Sequence, residues 1–231
     1  MVQVNNSKII LRIKFKKVGS LQYISHLDLV RTMNKIVVRA ALPLYYTEGF
    51  NPKPKMVFAF SMSIGLQSEC EFLDVKIPND VDFESVKEAL NLTSTEELSV
   101  SEVYYPETKF TEIKFASYII EIESENISKT VSEKCENILK SKPLIVNKYT
   151  KSGEKDVDIS PYVYDVTVCQ SENGNLKIEL MISSDNGSFL NPEYFITALK
   201  KEIEILGADL LKNRYSIVRK CVYDENKKIF S

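Results

Sequence analysis

The chain of 231 residues contains a single histidine, His26, beside Ser25 and two residues before Asp28. Hydroxyl, imidazole and carboxylate are the groups of a nucleophilic relay, in which the carboxylate orients the imidazole and the imidazole takes the hydroxyl proton. Neighbours at the start of a helix point in different directions, so spacing alone does not assemble that relay. Ser25 and Asp28 also have the spacing of a helix capping box, and a capped helix carrying a hydrogen-bonded histidine is the plainer reading. One imidazole excludes any mechanism that needs two.

Cations recur in three places. Arg31, Lys35 and Arg39 follow one another every fourth residue, which on a helix is one stripe able to grip successive phosphates; it is equally the pattern of a solvated helix face. Arg12, Lys14 and Lys16 alternate along an extended segment and so share one face, a pattern open to the same two readings. Asn51-Pro52-Lys53-Pro54-Lys55 places two ammonium groups on a backbone stiffened by proline, and preorganised cations lose less entropy on binding an anion. A purely structural turn is the competing reading. The candidate RNA- or anion-binding set is therefore Arg12, Lys14, Ser25, His26, Asp28, Arg31, Lys35, Arg39, Asn51, Lys53 and Lys55. Catalysis, if any, falls to His26. The four cysteines, Cys70, Cys135, Cys169 and Cys221, are scattered, with no CxxC pair and no trio to hold an iron–sulfur cluster. The sequence thus predicts no metal and no cofactor, and excludes radical-SAM catalysis by this chain itself.

The elements that carry these residues follow from periodicity. Ile9, Leu11, Ile13 and Phe15 alternate with polar neighbours, which predicts a half-buried strand. A helix is expected from Ser25 to about Leu42, with Leu29, Met33, Ile36 and Ala40 inward and Pro43 as its stop. Gly49–Lys55 reads as a stiff loop whose seven residues, following Pro43–Glu48, can reach back along the helix, so the loop and the helix start at Ser25–Arg31 are expected to meet and form one surface. Met56–Gly65, Phe72–Ile77 and Leu98–Tyr105 read as strands, with a short helix over Asp82–Leu90. The order β-α-β-β-α-β is the ferredoxin-like arrangement. It repeats: strand Phe115–Glu123, helix Ile127–Lys140, extended Leu144–Tyr149 and Ile159–Cys169 around a polar loop at Lys151–Asp156, strand Leu176–Ser183 after an Asn173-Gly174 turn, a helix opened by Asn191-Pro192 and ended by Gly207, and strand Arg214–Tyr223. The expectation is an α+β protein of two tandem ferredoxin-like units with antiparallel sheets, residues 1–108 and 109–231.

Charge is uneven along this plan. Residues 1–60 carry ten Lys/Arg against two Asp/Glu, and the remainder twenty against thirty, so a basic first quarter precedes an acidic rest. A localised basic region suggests an anionic partner such as nucleic acid. No apolar run is long enough to span a bilayer, and the polar start of the chain lacks a signal-peptide core, so a cytoplasmic protein is expected.

Several stretches together resemble the radical-SAM-linked family, a family of unknown function: Tyr23-Ile24-Ser25-His26-Leu27-Asp28-Leu29 with Arg31, Arg39-Ala40 with Leu42-Pro43, Gly49-Phe50-Asn51-Pro52 with Pro54-Lys55, Gly65 with Ser68 and Cys70-Glu71, and Val157-Asp158-Ile159 with Pro161-Tyr162. Family loops commonly have histidine where this chain has Lys53. Members occur fused to, or encoded beside, radical-SAM proteins, so the resemblance implies such a partner. The function expected is an RNA-binding accessory factor acting with a radical-SAM enzyme. The alternatives are a protein-only adaptor that docks that enzyme, and a metal-independent RNA endonuclease using His26. The last is suggested by a two-unit pattern similar to CRISPR RNA-processing endonucleases, whose glycine-rich C-terminal loop is missing here.

Overall fold

The structure, a computed structural model, describes residues 9–231 apart from 151–152, 172, 186, 208 and 210–211. It is a mixed α/β chain with mostly antiparallel strand pairing and, among the described residues, four α-helices. Two compact units divide it after Phe110, with Ser231 belonging to the first.

In the first unit the order is β1 (Ile9–Lys17), α1 (His26–Arg39), β2 (Met56–Phe58), β3 (Leu66–Ile77), α2 (Phe83–Thr93) and β4 (Val100–Tyr104). Within the unit β4 pairs β1, β1 pairs β3 and β3 pairs β2, all antiparallel. Alternation along β1 sends Leu11, Ile13 and Phe15 to one face, where they meet Leu29, Met33, Ile36 and Val37 of α1 and Val86 and Leu90 of α2. Each such side chain contributes about 1.5–3 kcal/mol by leaving water. Both helices therefore cover one face of the sheet, and Ile10, Arg12, Lys14 and Lys16 point to the other.

α1 is shorter than its apolar stripe predicts. It ends at Arg39, and Ala41 takes φ 53°, a left-handed turn that reverses the chain before Pro43 can act. The second strand is also shorter than its alternation: pairing stops at Phe58. The third is longer, beginning at Leu66.

In the second unit the order is β5 (Phe115–Glu123), α3 (Lys129–Leu139), β6 (Ile145–Thr150), β7 (Gly153–Asp158), β8 (Val163–Gln170), β9 (Leu176–Ser183), α4 (Glu193–Glu202) and β10 (Arg214–Tyr223). Its main sheet runs β10-β5-β9-β8, antiparallel throughout. β6 and β7 form a separate two-stranded ribbon. The polar stretch expected as a loop thus lies largely in β7; Lys151 and Ser152, at its start, lie outside the described residues. Residues 153–156 are exposed, and a ribbon with no buried side there imposes no apolar alternation for the sequence to display. Asn191 Oδ1 accepts the Glu193 amide at 3.1 Å to open α4. That helix ends at Glu202, five residues short of Gly207.

Candidate functional site

The start of α1 is built by its cap. Ser25 Oγ accepts the Asp28 amide at 3.2 Å and donates to Asp28 Oδ2 at 2.7 Å, and Arg31 Nη1 donates to Asp28 Oδ1 at 3.0 Å. These bonds, the Ser25 hydroxyl first and the Arg31 guanidinium next, hold the Asp28 carboxyl below its ordinary range. Both carboxylate oxygens are therefore committed away from His26. The imidazole lies edge-on to Phe58, 5.4 Å between ring centres, and its buried Nδ1 has no hydrogen-bond partner among the described residues. Serine, histidine and aspartate are adjacent here without forming a relay: the hydroxyl donates its hydrogen bond to the carboxylate directly rather than to the imidazole.

The cations divide between two opposite faces of the unit. Arg31, Lys35 and Arg39 are exposed along the side of α1 away from Leu29, Met33, Ile36 and Val37, hence away from the sheet. Arg12, Lys14 and Lys16 lie on the sheet face that the helices leave uncovered. The helix stripe and the strand row do not merge.

Arg12 is not available to a phosphate. It is 1% exposed; its Nε and Nη2 donate to the two Asp74 carboxylate oxygens at 2.8 and 2.9 Å, its Nη1 and Nη2 to Thr108 Oγ1 and O, and its guanidinium lies 4.3 Å from the Phe110 ring centre. Alternation correctly places it opposite Leu11, but a bidentate, stacked arginine is a structural cation. Lys14 is bound to Glu102 at 2.6 Å.

The segment around Gly49–Lys55 is more ordered than a stiff loop. Thr47 N donates to Lys53 O and Lys55 N to Tyr45 O, each at 2.8 Å, Lys53 N donates to Thr47 Oγ1 at 3.0 Å, and Tyr46 bridges Pro54. This is a small hairpin with its turn near Glu48–Pro52. The prolines fit because the donors used are those of residues 53 and 55, so Pro52 and Pro54 fall where no N–H is called on. Gly49 supplies the turn with φ +119°, and Phe50 beside it is fully exposed. At the base, Tyr45 N donates to Lys76 O at 2.8 Å, which anchors the hairpin to β3.

The helix start and this hairpin do not form one surface, contrary to the expectation from chain reach. His26 meets Phe58, the last residue of β2, whereas the hairpin leaves from the other end of that strand and runs away from it. Phe58 to Lys53 is five residues of extended chain, roughly 16 Å. Ser25, His26, Asp28 and Arg31 thus form one cluster, and Asn51, Lys53 and Lys55 another. The latter is joined to Arg39 by the short connection 40–44, so it belongs with the C-terminal end of α1. Phe50 carries no periodic signal, yet a large apolar residue in a turn between glycine and proline, with no strand or helix to bury it, was a readable sign. Lys76 had no such sign, because its place beside Lys55 depends on strand pairing.

Among the described residues no group of His, Cys, Asp and Glu is placed to hold a metal ion, and no helix is long and apolar enough to cross a membrane. No curated protein matches the chain. Among solved structures it is similar to a chain in the crystal structure of a Cbf5-Nop10-Gar1 complex, at 9% identity with a TM-score of 0.50, over 93% of this chain and 50% of that one. The chain spans about half the length of that neighbour, and likeness at this identity concerns the fold alone. Residues 11–192 match the model of a family described as an uncharacterized protein conserved in bacteria. This match covers well over half of the sequence, and the chain belongs to that family, DUF2344.

Proposed function

We propose that this protein is a cytoplasmic RNA-binding accessory factor that acts with a radical-SAM enzyme, and that its two units are ferredoxin-like. The radical-SAM partner rests on the sequence resemblance. The fold name is supported by the order β-α-β-β-α-β in both units, each with the outer strands flanking the first and third, and with the β6–β7 ribbon as an insertion in the second.

One observation carries the RNA reading: the Tyr45–Lys55 hairpin. It projects an aromatic ring and the ammonium groups of Lys53 and Lys55 on a backbone tied by its own hydrogen bonds. Neither lysine has an ion-pair partner among the described residues. Aromatic faces stack on bases and fixed cations meet phosphates. The test is a titration of labelled cellular RNA by fluorescence anisotropy at several salt concentrations. Affinity falling steeply with salt supports the reading. Absence of binding at low salt, or binding indifferent to salt, removes it.

A second reading, a protein-only adaptor, has its own observation. Tyr23, Leu27 and Ile64 are exposed apolar residues around the start of α1, and the Gly65 N bond to Gln22 O at 2.8 Å holds their segments together. Capture of partners with and without nuclease separates it from the first, since an adaptor keeps its partner after RNA is destroyed. The endonuclease reading loses its relay partners to the Ser25–Asp28–Arg31 cluster. Labelled RNA left intact by wild type and by His26→Ala alike removes it.

A further inference from the structure

The uncovered face of the first unit contains a pocket of about 560 Å3 that none of the sequence motifs anticipates. Strand register explains it. Ile10 pairs with Lys76, and Arg12 and Val57 both pair with Asp74, so these side chains stand in neighbouring rows on one face. Lys55, two residues before Val57, shares that face. The floor is apolar: Ile10 is 42% and Val57 57% exposed, with no covering element within the unit. The rim holds Lys55, Lys76 and Thr47 from the hairpin base and β3, together with Asp74. Asp74 is already spent on Arg12 through two short bonds, so its charge is cancelled. Lys55 and Lys76 form no ion pair among the described residues, and the pocket is left with two uncompensated cations above an apolar floor.

We infer that this pocket takes one unpaired nucleotide of an RNA strand, the base lying on Ile10 and Val57 and its phosphate between Lys55 and Lys76. The inference rests on the RNA-binding reading and narrows it to a substrate class. A base that enters a pocket must leave its stack, which is least costly in a single strand, and a volume of this size is in the range that holds a small ligand. The hairpin rises directly from the rim, so a strand whose base is seated here runs on past Lys53 toward Phe50.

The experiment uses the full chain, a fluorescein-labelled single-stranded RNA decamer carrying one 4-thiouridine, and the matching duplex. Anisotropy is expected to give at least about tenfold tighter binding to the single strand, the scale of one engaged base. Lys76→Ala and Val57→Asp should each remove most of that preference and leave duplex affinity within about twofold, because non-specific backbone attraction persists. Photo-crosslinks from the single strand should map to peptides containing Lys55–Val57 or Lys76. Lys76→Ala changes only a surface side chain, so it stays informative if Val57→Asp lowers the melting temperature. Equal affinity for both forms, with neither variant changing it and crosslinks elsewhere, overturns the pocket while RNA binding stands. No binding of either form by wild type overturns the RNA reading, and the pocket with it.

Discussion

Both units place a hairpin at the same point of their chain order, between the first helix and the next strand of the main sheet, and the two hairpins differ. The first, Tyr45–Lys55, is short and is stiffened by two prolines. It exposes Phe50 and carries Lys53 and Lys55 against Glu48 alone. The second, β6–β7, is longer and balanced, with Lys148, Lys151 and Lys155 against Glu154, Asp156 and Asp158. Its junction is tied off by Asp158, whose Oδ1 accepts the amides of Leu144 at 3.0 Å and Ser160 at 2.9 Å. The same insertion point thus carries an excess of cations and an exposed ring in one unit, and equal numbers of cations and anions in the other. On the proposed reading, an excess of cations together with an unburied aromatic, rather than position in the fold, makes a hairpin a binding element.

The largest effect expected from breaking this comparison is on stability rather than binding. The face beside the first hairpin stands on the Arg12–Asp74 pair. Asp74→Ala should cost about 3–5 kcal/mol by leaving a buried guanidinium without its counter-charge, measured by urea denaturation. Little change would mean that the Thr108 and Phe110 contacts alone hold Arg12.

Next in size is Phe50→Ala, which should weaken single-stranded RNA binding by about five- to a hundredfold, the range for one stacked base. Because the ring is fully exposed, the melting temperature should not move. A drop in melting temperature with affinity unchanged would give the ring a structural role.

Much of this plan was readable in the residues. The strands from Ile9 and Phe115, the capped helices and the basic row on β1 follow from period and cap chemistry. What was not readable is pairing. Arg12 alternates with Leu11 and Ile13 as a surface residue does, and only the antiparallel register with Asp74 shows it to be spent. Lys76 looked like one lysine among many, and Lys55 like a loop cation; register puts them on the rim of one pocket. The polar β7 strand reads as a loop in the sequence because most of it buries nothing, and a segment that buries nothing leaves no period. The Gly49–Lys55 segment has the length to return to Ser25, but the hairpin leaves β2 at the end away from Phe58 and His26, and length does not set direction.

A smaller effect sharpens the comparison from the second hairpin's side. Bonding to the Ser160 amide and hydroxyl, and to the Leu144 amide, holds the Asp158 carboxyl below its ordinary value of 3.8. A depressed carboxyl contributes stability that is complete above the unfolded value and is lost as pH falls through the folded one. Amide hydrogen exchange at Leu144 and Ser160 should therefore accelerate below pH 3.8 before the rest of the ribbon opens. Asp158→Asn should bring that behaviour to neutral pH without altering RNA affinity. Exchange at the two amides that is independent of pH across this range would contradict the assignment.

The central claim is tested most directly by reversing charge on the two hairpins in parallel and measuring affinity for a single-stranded RNA decamer. Lys53→Glu with Lys55→Glu should lower affinity at low salt by at least about tenfold and flatten the salt dependence by about 1.4, the slope for two lost phosphate contacts. The melting temperature should shift by no more than about 2 °C, as expected of surface substitutions. Lys148→Glu with Lys155→Glu, the same chemical change on an exposed cross-strand pair of the second hairpin, should leave affinity within about twofold. Equal losses from both double variants would reduce the binding to general charge, and full affinity in the Lys53→Glu, Lys55→Glu variant would contradict the account.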